Sequence, residues 1–208
     1  MLFTSTVDPG TFTLLKELMK LKGLAEFALV GGTALSLKFG HRKSEDLDLF
    51  SLQKLSIESL RLLLKSEYGN DFIHENPTVK FAIFCYINGV KTDLVYYPHP
   101  LLKPIETVEN IRMYSSEDIA AMKINAVLGR GVKKDFFDIV ELLNHFSMKE
   151  IIQFHRQKFP DNSILISIPS ALTYFEDAEN SPDPISLKGQ TWHQVKKTLQ
   201  QAVRDYLQ

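Results

Sequence analysis

The sequence predicts an α/β fold of the α+β kind, with a small β-sheet in the first half of the chain and helices in the second. Two observations carry this. Before about residue 112 the apolar residues form short strand-like runs interleaved with helical stretches, whereas from Ser116 onward they recur mostly at helical spacing. The dipeptide Asn88-Gly89, suited to a type I′ turn, separates the strand-like runs 79–87 and 90–97 and marks a β-hairpin. The expected division is a core over residues 1–112 and a helical subdomain over 113–208, which completes a groove.

Taken in order, residues 11–24 place Phe12, Leu15 and Met19 on one helical face, with Gly23 as a stop. Phe27 to Val30 is a short strand that runs into Gly31-Gly32-Thr33, and Ala34 to Phe39 is a helix closed by Gly40. Leu47, Leu49 and Phe50 around two aspartates form a strand with alternating faces, and Ile57 to Tyr68 is helical. In the hairpin a two-residue turn sets Ile87 against Val90 and Phe84 against Asp93. Pro98, Pro100 and Pro104 are expected to end the sheet. A helix begins near Ser116, breaks at Gly129-Arg130-Gly131 and gives way to a second through Phe136, Ile139, Val140 and Leu143. The tail carries a break at Asn180 to Pro184 and a last amphipathic helix from Trp192 to Leu207.

The chain's 208 residues are enough for one domain with an appendage. With 44% hydrophobic and 24% charged residues, it is neither a disordered chain nor a membrane span, and with no signal-like N-terminus it is expected in the cytoplasm. Cys85, the single cysteine, lies in an apolar run and reads as a packing residue. A net charge of −1 argues against a general nucleic-acid coat protein but leaves room for a local basic groove.

Asp46-Leu47-Asp48 puts two carboxylates at strand spacing, on one face, where they can share a divalent ion. Magnesium combines a few carboxylates with phosphate oxygens and water, so the pair suits a site completed by a nucleoside triphosphate. Gly31-Gly32-Thr33 at a helix entry offers free N–H groups, and Thr33 adds a hydroxyl donor. Two metal ions in such a site would clamp an in-line displacement at the α-phosphorus. Asp93 would complete the second metal site or take the proton from the attacking hydroxyl; it could equally be a strand aspartate paired with Lys91.

Leu29-Val-Gly-Gly-Thr-Ala-Leu35 and His41-Arg42-Lys43-Ser44-Glu45-Asp46-Leu-Asp48 resemble the AbiEii/AbiGii-type nucleotidyltransferases of bacterial abortive-infection and toxin–antitoxin systems. Lys123, Arg130-Gly131 and Lys133-Lys134-Asp135-Phe-Phe-Asp138 look like that family's later motifs. The resemblance implies a polymerase-β-like core, a mixed sheet flanked by helices, with Mg2+ (or Mn2+) and a nucleoside triphosphate. It further implies that Gly31, Gly32 and Thr33 hold phosphate, and that Asp46, Asp48 and Asp93 hold metal. Lys123 would reach the triphosphate, and Asp135 would orient a cation. The resemblance implies as partners an RNA acceptor, such as the 3′ end of a transfer RNA, and an antitoxin protein encoded nearby. A small hydroxyl compound, a protein acceptor or a silent binding module are the other readings. Two departures stand out: Gly32 in place of a serine, and a chain shorter than the family's large toxins.

The resemblance places Arg42 and Ser44 near the site. Arg130, Lys133 and Lys134 could flank an RNA groove. Trp192 and the Tyr174-Phe175 pair read as core anchors of the tail.

Overall fold

The structure, a computed structural model, describes residues 1–54, 56–161 and 166–208. Helix α1 spans Pro9–Lys20, two residues ahead of the expected start, because Asp8 caps it and Pro9 occupies its first turn. Strand β1 is the two residues Ala28–Leu29, and α2, Gly31–Phe39, begins on the glycines themselves and ends at left-handed Gly40. Strand β2 is Leu47–Ser51, and α3, Ile57–Tyr68, is capped by Ser56. Strands β3 (Phe72–His74), β4 (Ala82–Ile87) and β5 (Val90–Tyr96) follow. The turn between β4 and β5 has both Asn88 and Gly89 at positive φ, as a type I′ turn requires, and Ile87 pairs with Val90 and Phe84 with Asp93.

The prolines after Tyr97 do not end the sheet. A second hairpin, β6 (Glu106–Val108) and β7 (Ile111–Met113), turns through Glu109 and Asn110 at positive φ, and β7 pairs with β1 in parallel. Its three-residue strands are too short to show alternation, which is why the sequence hides them. The strand order is β3-β4-β5-β2-β1-β7-β6, with β2–β5 and β1–β7 parallel and the other pairs antiparallel. Arg112 anchors this added edge by donating to the carbonyls of Met19, Leu24 and Phe27 at 2.9–3.0 Å.

The rest of the described chain is helical: α4 (Ser116–Gly129), α5 (Lys133–Leu142), α6 (Met148–Lys158), α7 (Ile168–Thr173), α8 (Glu176–Glu179) and α9 (Trp192–Leu207). Helix α4 begins at Ser116 as expected, and Ser115 caps it. Helices α4 and α5 pack on α2, so the first turn of α2 is sandwiched between the sheet and the helical half. Trp192 stacks on Phe137 and meets Phe136 and Phe175 edge-on, anchoring α9 as expected. Tyr174, expected in the same anchor, is 51% exposed. Its neighbour Phe175 fills the space the pair was thought to share.

Cys85 is fully buried, its thiol faces the Thr92 carbonyl, and burial pushes it up to about 12, which leaves it inert as a nucleophile. No helix among the described residues is long and apolar enough to cross a membrane.

Candidate active site

Strand β2 alternates buried Leu47, Leu49 and Ser51 with half-exposed Asp48 and Phe50, so the core grips one face and presents Asp48 on the other. Parallel pairing with β5 aligns Asp48 with Asp93. Asp46 precedes the strand and is 39% exposed at its side chain, with Lys134 Nζ at 3.5 Å. Burial pushes Asp48 above the usual carboxylate range; Lys123 opposes the shift and Asp46 adds to it. Burial and then Asp48 push Asp93 up to about 6, and its buried Oδ1 has no hydrogen-bond partner among the described residues.

These properties suit a divalent cation. Two neighbouring carboxylates, one with an orphaned oxygen, share a charge problem that a cation relieves. The expected three-carboxylate cage, however, is not preformed: among the described residues no three acidic, His or Cys side chains converge closely enough to hold an ion. Asp46 lies outside the strand beside Lys134, so an ion here would need ligands from substrate oxygens as well.

The glycine turn closes over the carboxylates. Gly31 adopts φ +71°, and a Cβ there would lie 2.7 Å from Asp48 Oδ2, so only glycine lets the carboxylate reach this first helical turn. Among the described residues no side chain caps α2, leaving its first N–H groups available to an anion. Gly32, the departure from serine, has a direct physical reason: a Cβ would collide with Arg42 Nη2.

Arg42 does not face an incoming phosphate. It is 3% exposed and grips Asp138 with two hydrogen bonds, Nε to Oδ1 at 2.7 Å and Nη2 to Oδ2 at 2.9 Å. His41 Nε2 meets the same Oδ1 at 2.7 Å, and Lys123 Nζ lies 2.6 Å from Oδ2. Lys123 also donates to Asp135 Oδ1 at 2.8 Å and is 7% exposed, so it too is spent inward. Asp138 is held well below the ordinary carboxylate range: burial opposes this, and Arg42, Lys123 and His41 together outweigh it. Arg42 and Lys123 are raised in turn, their burial more than offset by Asp138 and Asp135. Arg42, expected near the site, and Lys123, expected to reach the triphosphate, here form a buried charge floor beneath the turn.

Thr33 is similarly redirected. Its hydroxyl donates to the Asp46 carbonyl and accepts from Ser44 Oγ at 2.8 Å, so both hydroxyls fix the backbone that carries Asp46 instead of facing an anion. Arg130, 67% exposed at its side chain, and Lys134, 45% exposed, remain open to solvent, while Lys133 turns to Asp183 at 2.8 Å.

Two parts carried no role in the sequence reasoning. Asp138 could have been found, because Asp135 and Asp138 are spaced i, i+3 on one face of α5. The strap 181–187 carries no such signal. It lies along residues 41–43, with Lys43 N donating to Ile185 O and Leu187 N to His41 O, both at 2.9 Å, and Ser181 Oγ accepts from Lys133 N.

Residues 13–207 match the family described as nucleotidyl transferase AbiEii toxin, Type IV TA system. The chain belongs to the AbiEii nucleotidyltransferase toxin family. An uncharacterized protein of Aquifex aeolicus (strain VF5) is 30% identical over 202 residues, spanning 93% of this chain and 94% of its own. The structure of MenT4, a nucleotidyltransferase toxin of Mycobacterium tuberculosis H37Rv, superposes with a TM-score of 0.60 at 12% identity, covering 95% of this chain and 86% of that one. At that identity the likeness concerns the fold: a nucleotidyltransferase architecture with a mixed sheet. The expected fold and family therefore hold, and the chain is a nucleotidyltransferase.

Proposed function

We propose that this AbiEii-family nucleotidyltransferase moves a nucleotide from a nucleoside triphosphate to an RNA acceptor, the 3′ end of a transfer RNA, in the cytoplasm, as a toxin restrained by an antitoxin encoded nearby. The observation that carries the chemistry is the pairing of Asp48 with Asp93 beneath the uncapped first turn of α2. The N–H groups of Gly31 and Gly32 bind a phosphate, and the fixed dipole of α2 orients it. Asp46 and Asp48, with Asp93 beside them, would hold Mg2+ or Mn2+. Bound there, the cation would supply charge neutralisation at the α-phosphoryl oxygens.

The acceptor hydroxyl attacks the α-phosphorus in line. A new oxygen–phosphorus bond forms, the bond to the bridging α–β oxygen breaks, and pyrophosphate leaves. Asp93, ionised at neutral pH with a value of about 6, accepts the hydroxyl proton. Lys134 and Arg130 at the rim position phosphates, while Lys123, Asp135 and Arg42 hold the floor.

The test incubates the purified protein with each labelled nucleoside triphosphate, Mg2+ and total RNA, beside Asp48→Asn. Label should enter RNA with the intact chain alone, and the labelled species names the acceptor. Equal labelling by Asp48→Asn, with its fold intact, would remove the carboxylates from the mechanism. Label in a small molecule or protein instead would reassign the acceptor.

A further inference from the structure

At the β6 end of the sheet a groove of about 580 Å³ lies between α1 and the β6–β7 hairpin, lined by Lys16, Met19 and Lys20 on one side and Thr107, Asn110 and Arg112 on the other. Met19 is buried, whereas Lys16, Lys20, Thr107 and Asn110 are exposed. The two lysines stand one helical turn apart on α1, and among the described residues neither has an ion-pair partner; Lys16 Nζ lies over the Phe12 ring at 4.9 Å. The acids nearby are committed elsewhere. Glu106 pairs with Lys38 at 2.8 Å, Glu109, which also lines the groove, accepts from Leu2 N at 3.0 Å, and Glu17 lines a different hollow beside Asn88. Arg112, fixed by its three carbonyls, adds a positive charge that cannot swing away. The groove is therefore cationic.

Among the described residues β6 has no strand on its outer side. The two-residue turn at Glu109-Asn110 makes Val108 and Ile111 a hydrogen-bonded pair, and Thr107 and Arg112 the next, non-bonded pair. The N–H and C=O of Thr107 thus point away from β7, beside a groove that its side chain lines. We infer that this groove docks an extended acidic segment of a partner protein, which adds to the free edge of β6 and sets alternate carboxylates against Lys16 and Lys20. Side chains on one face of a strand repeat every 6.6–7 Å or so, roughly the spacing of about 6 Å between lysines one helical turn apart, so carboxylates at positions i and i+2 find a cation each. The edge favours a peptide over a nucleic-acid backbone. A peptide returns both a donor and an acceptor to Thr107, whereas a phosphodiester has acceptors only and would leave the Thr107 carbonyl unpaired. Arg112 reaches the Phe27 carbonyl ahead of β1, and α2 starts at Gly31 past the other end of that strand, so a segment seated here leaves the candidate active site open. The inference does not depend on the transfer reaction.

The test uses the full chain and a fluorescent octapeptide of alternating Glu and Thr, with binding followed by anisotropy. Its companions are the Lys-Thr counterpart, the Glu-Thr peptide with every backbone amide N-methylated, and a single-stranded RNA oligonucleotide. The protein variants are Lys16→Gln/Lys20→Gln, at exposed positions, and Thr107→Pro, which deletes the outward N–H, with unchanged thermal unfolding as the control for folding. Expected is binding of the Glu-Thr peptide that weakens with salt and falls about five- to tenfold in the double lysine variant, with a comparable loss for the N-methylated peptide and for Thr107→Pro. If Thr107→Pro unfolds, the N-methylated peptide alone carries the edge-pairing test. No binding by the intact chain, equal binding of the Lys-Thr peptide, or equal affinity in the double lysine variant would overturn the inference. Equal binding of the N-methylated peptide would overturn it too, by reducing the groove to a charge attraction without strand addition. RNA bound more tightly than the peptide, with the same loss in the lysine variant, would give the groove to nucleic acid instead.

Discussion

Replacing Asp138 by alanine should unfold the junction between the sheet and the helical half more than any other single truncation near the site. The side chain is fully buried, and its two oxygens take Arg42 in a bidentate grip, His41 and Lys123, all within 2.9 Å. Removing it strands the Arg42 guanidinium, which among the described residues keeps the Lys43 carbonyl, and leaves Lys123 with Asp135. Breaking a buried ion pair by deleting one partner costs about 3–5 kcal/mol, because an uncompensated charge remains in a dry site. At roughly 2–4 °C per kcal/mol for a chain of this size, the melting temperature should fall by about 6–20 °C. The assay is thermal and urea unfolding followed by circular dichroism, carried through a double-mutant cycle with Arg42→Met. Once the arginine is gone, the loss of Asp138 should cost at least about 1 kcal/mol less. A loss below about 1 kcal/mol for the single variant, or strict additivity in the cycle, would refute the buried charge floor.

Gly32→Ala forces Arg42 off its seat, because the added methyl meets a guanidinium that Asp138 will not release, and should cost about 1–3 kcal/mol in urea unfolding. Adding Arg42→Gln should return part of that loss, and a clash-free Gly32→Ala would show that the turn has room to spare. Asp93 gives a pH dependence of opposite sign to an ordinary paired aspartate. Its value of about 6 in the folded chain lies above the 3.8 of the unfolded one, so the folded state gains protons first and stability rises as pH falls from above 6 toward 4. Asp93→Asn should therefore raise the melting temperature at pH 8 and change it little at pH 4; screening at this half-exposed group limits the gain to about 1 kcal/mol. Added Mg2+ should stabilise the intact chain at pH 8 and lose that effect by pH 5, which a melting series with and without chelator checks.

The parts whose physics is local can be read from the chain alone. The Asn88-Gly89 turn fixes the hairpin register because only left-handed residues join strands so closely, and that register alone commits Asp93 to its strand face. The Asp46-Leu47-Asp48 spacing and the Gly31-Gly32 turn were legible for the same reason, as strand period and helix entry are properties of neighbours in the chain. Which charges meet is set by long-range packing. Arg42, Lys123, Asp135 and Asp138 lie up to 96 residues apart, and nothing in their spacing says that the first two turn inward to share the last. The β6–β7 edge and the strap 181–187 were hidden for a related reason. Each is a short segment held by pairing to a distant partner, and a pairing energy that depends on the partner leaves no period in the segment itself.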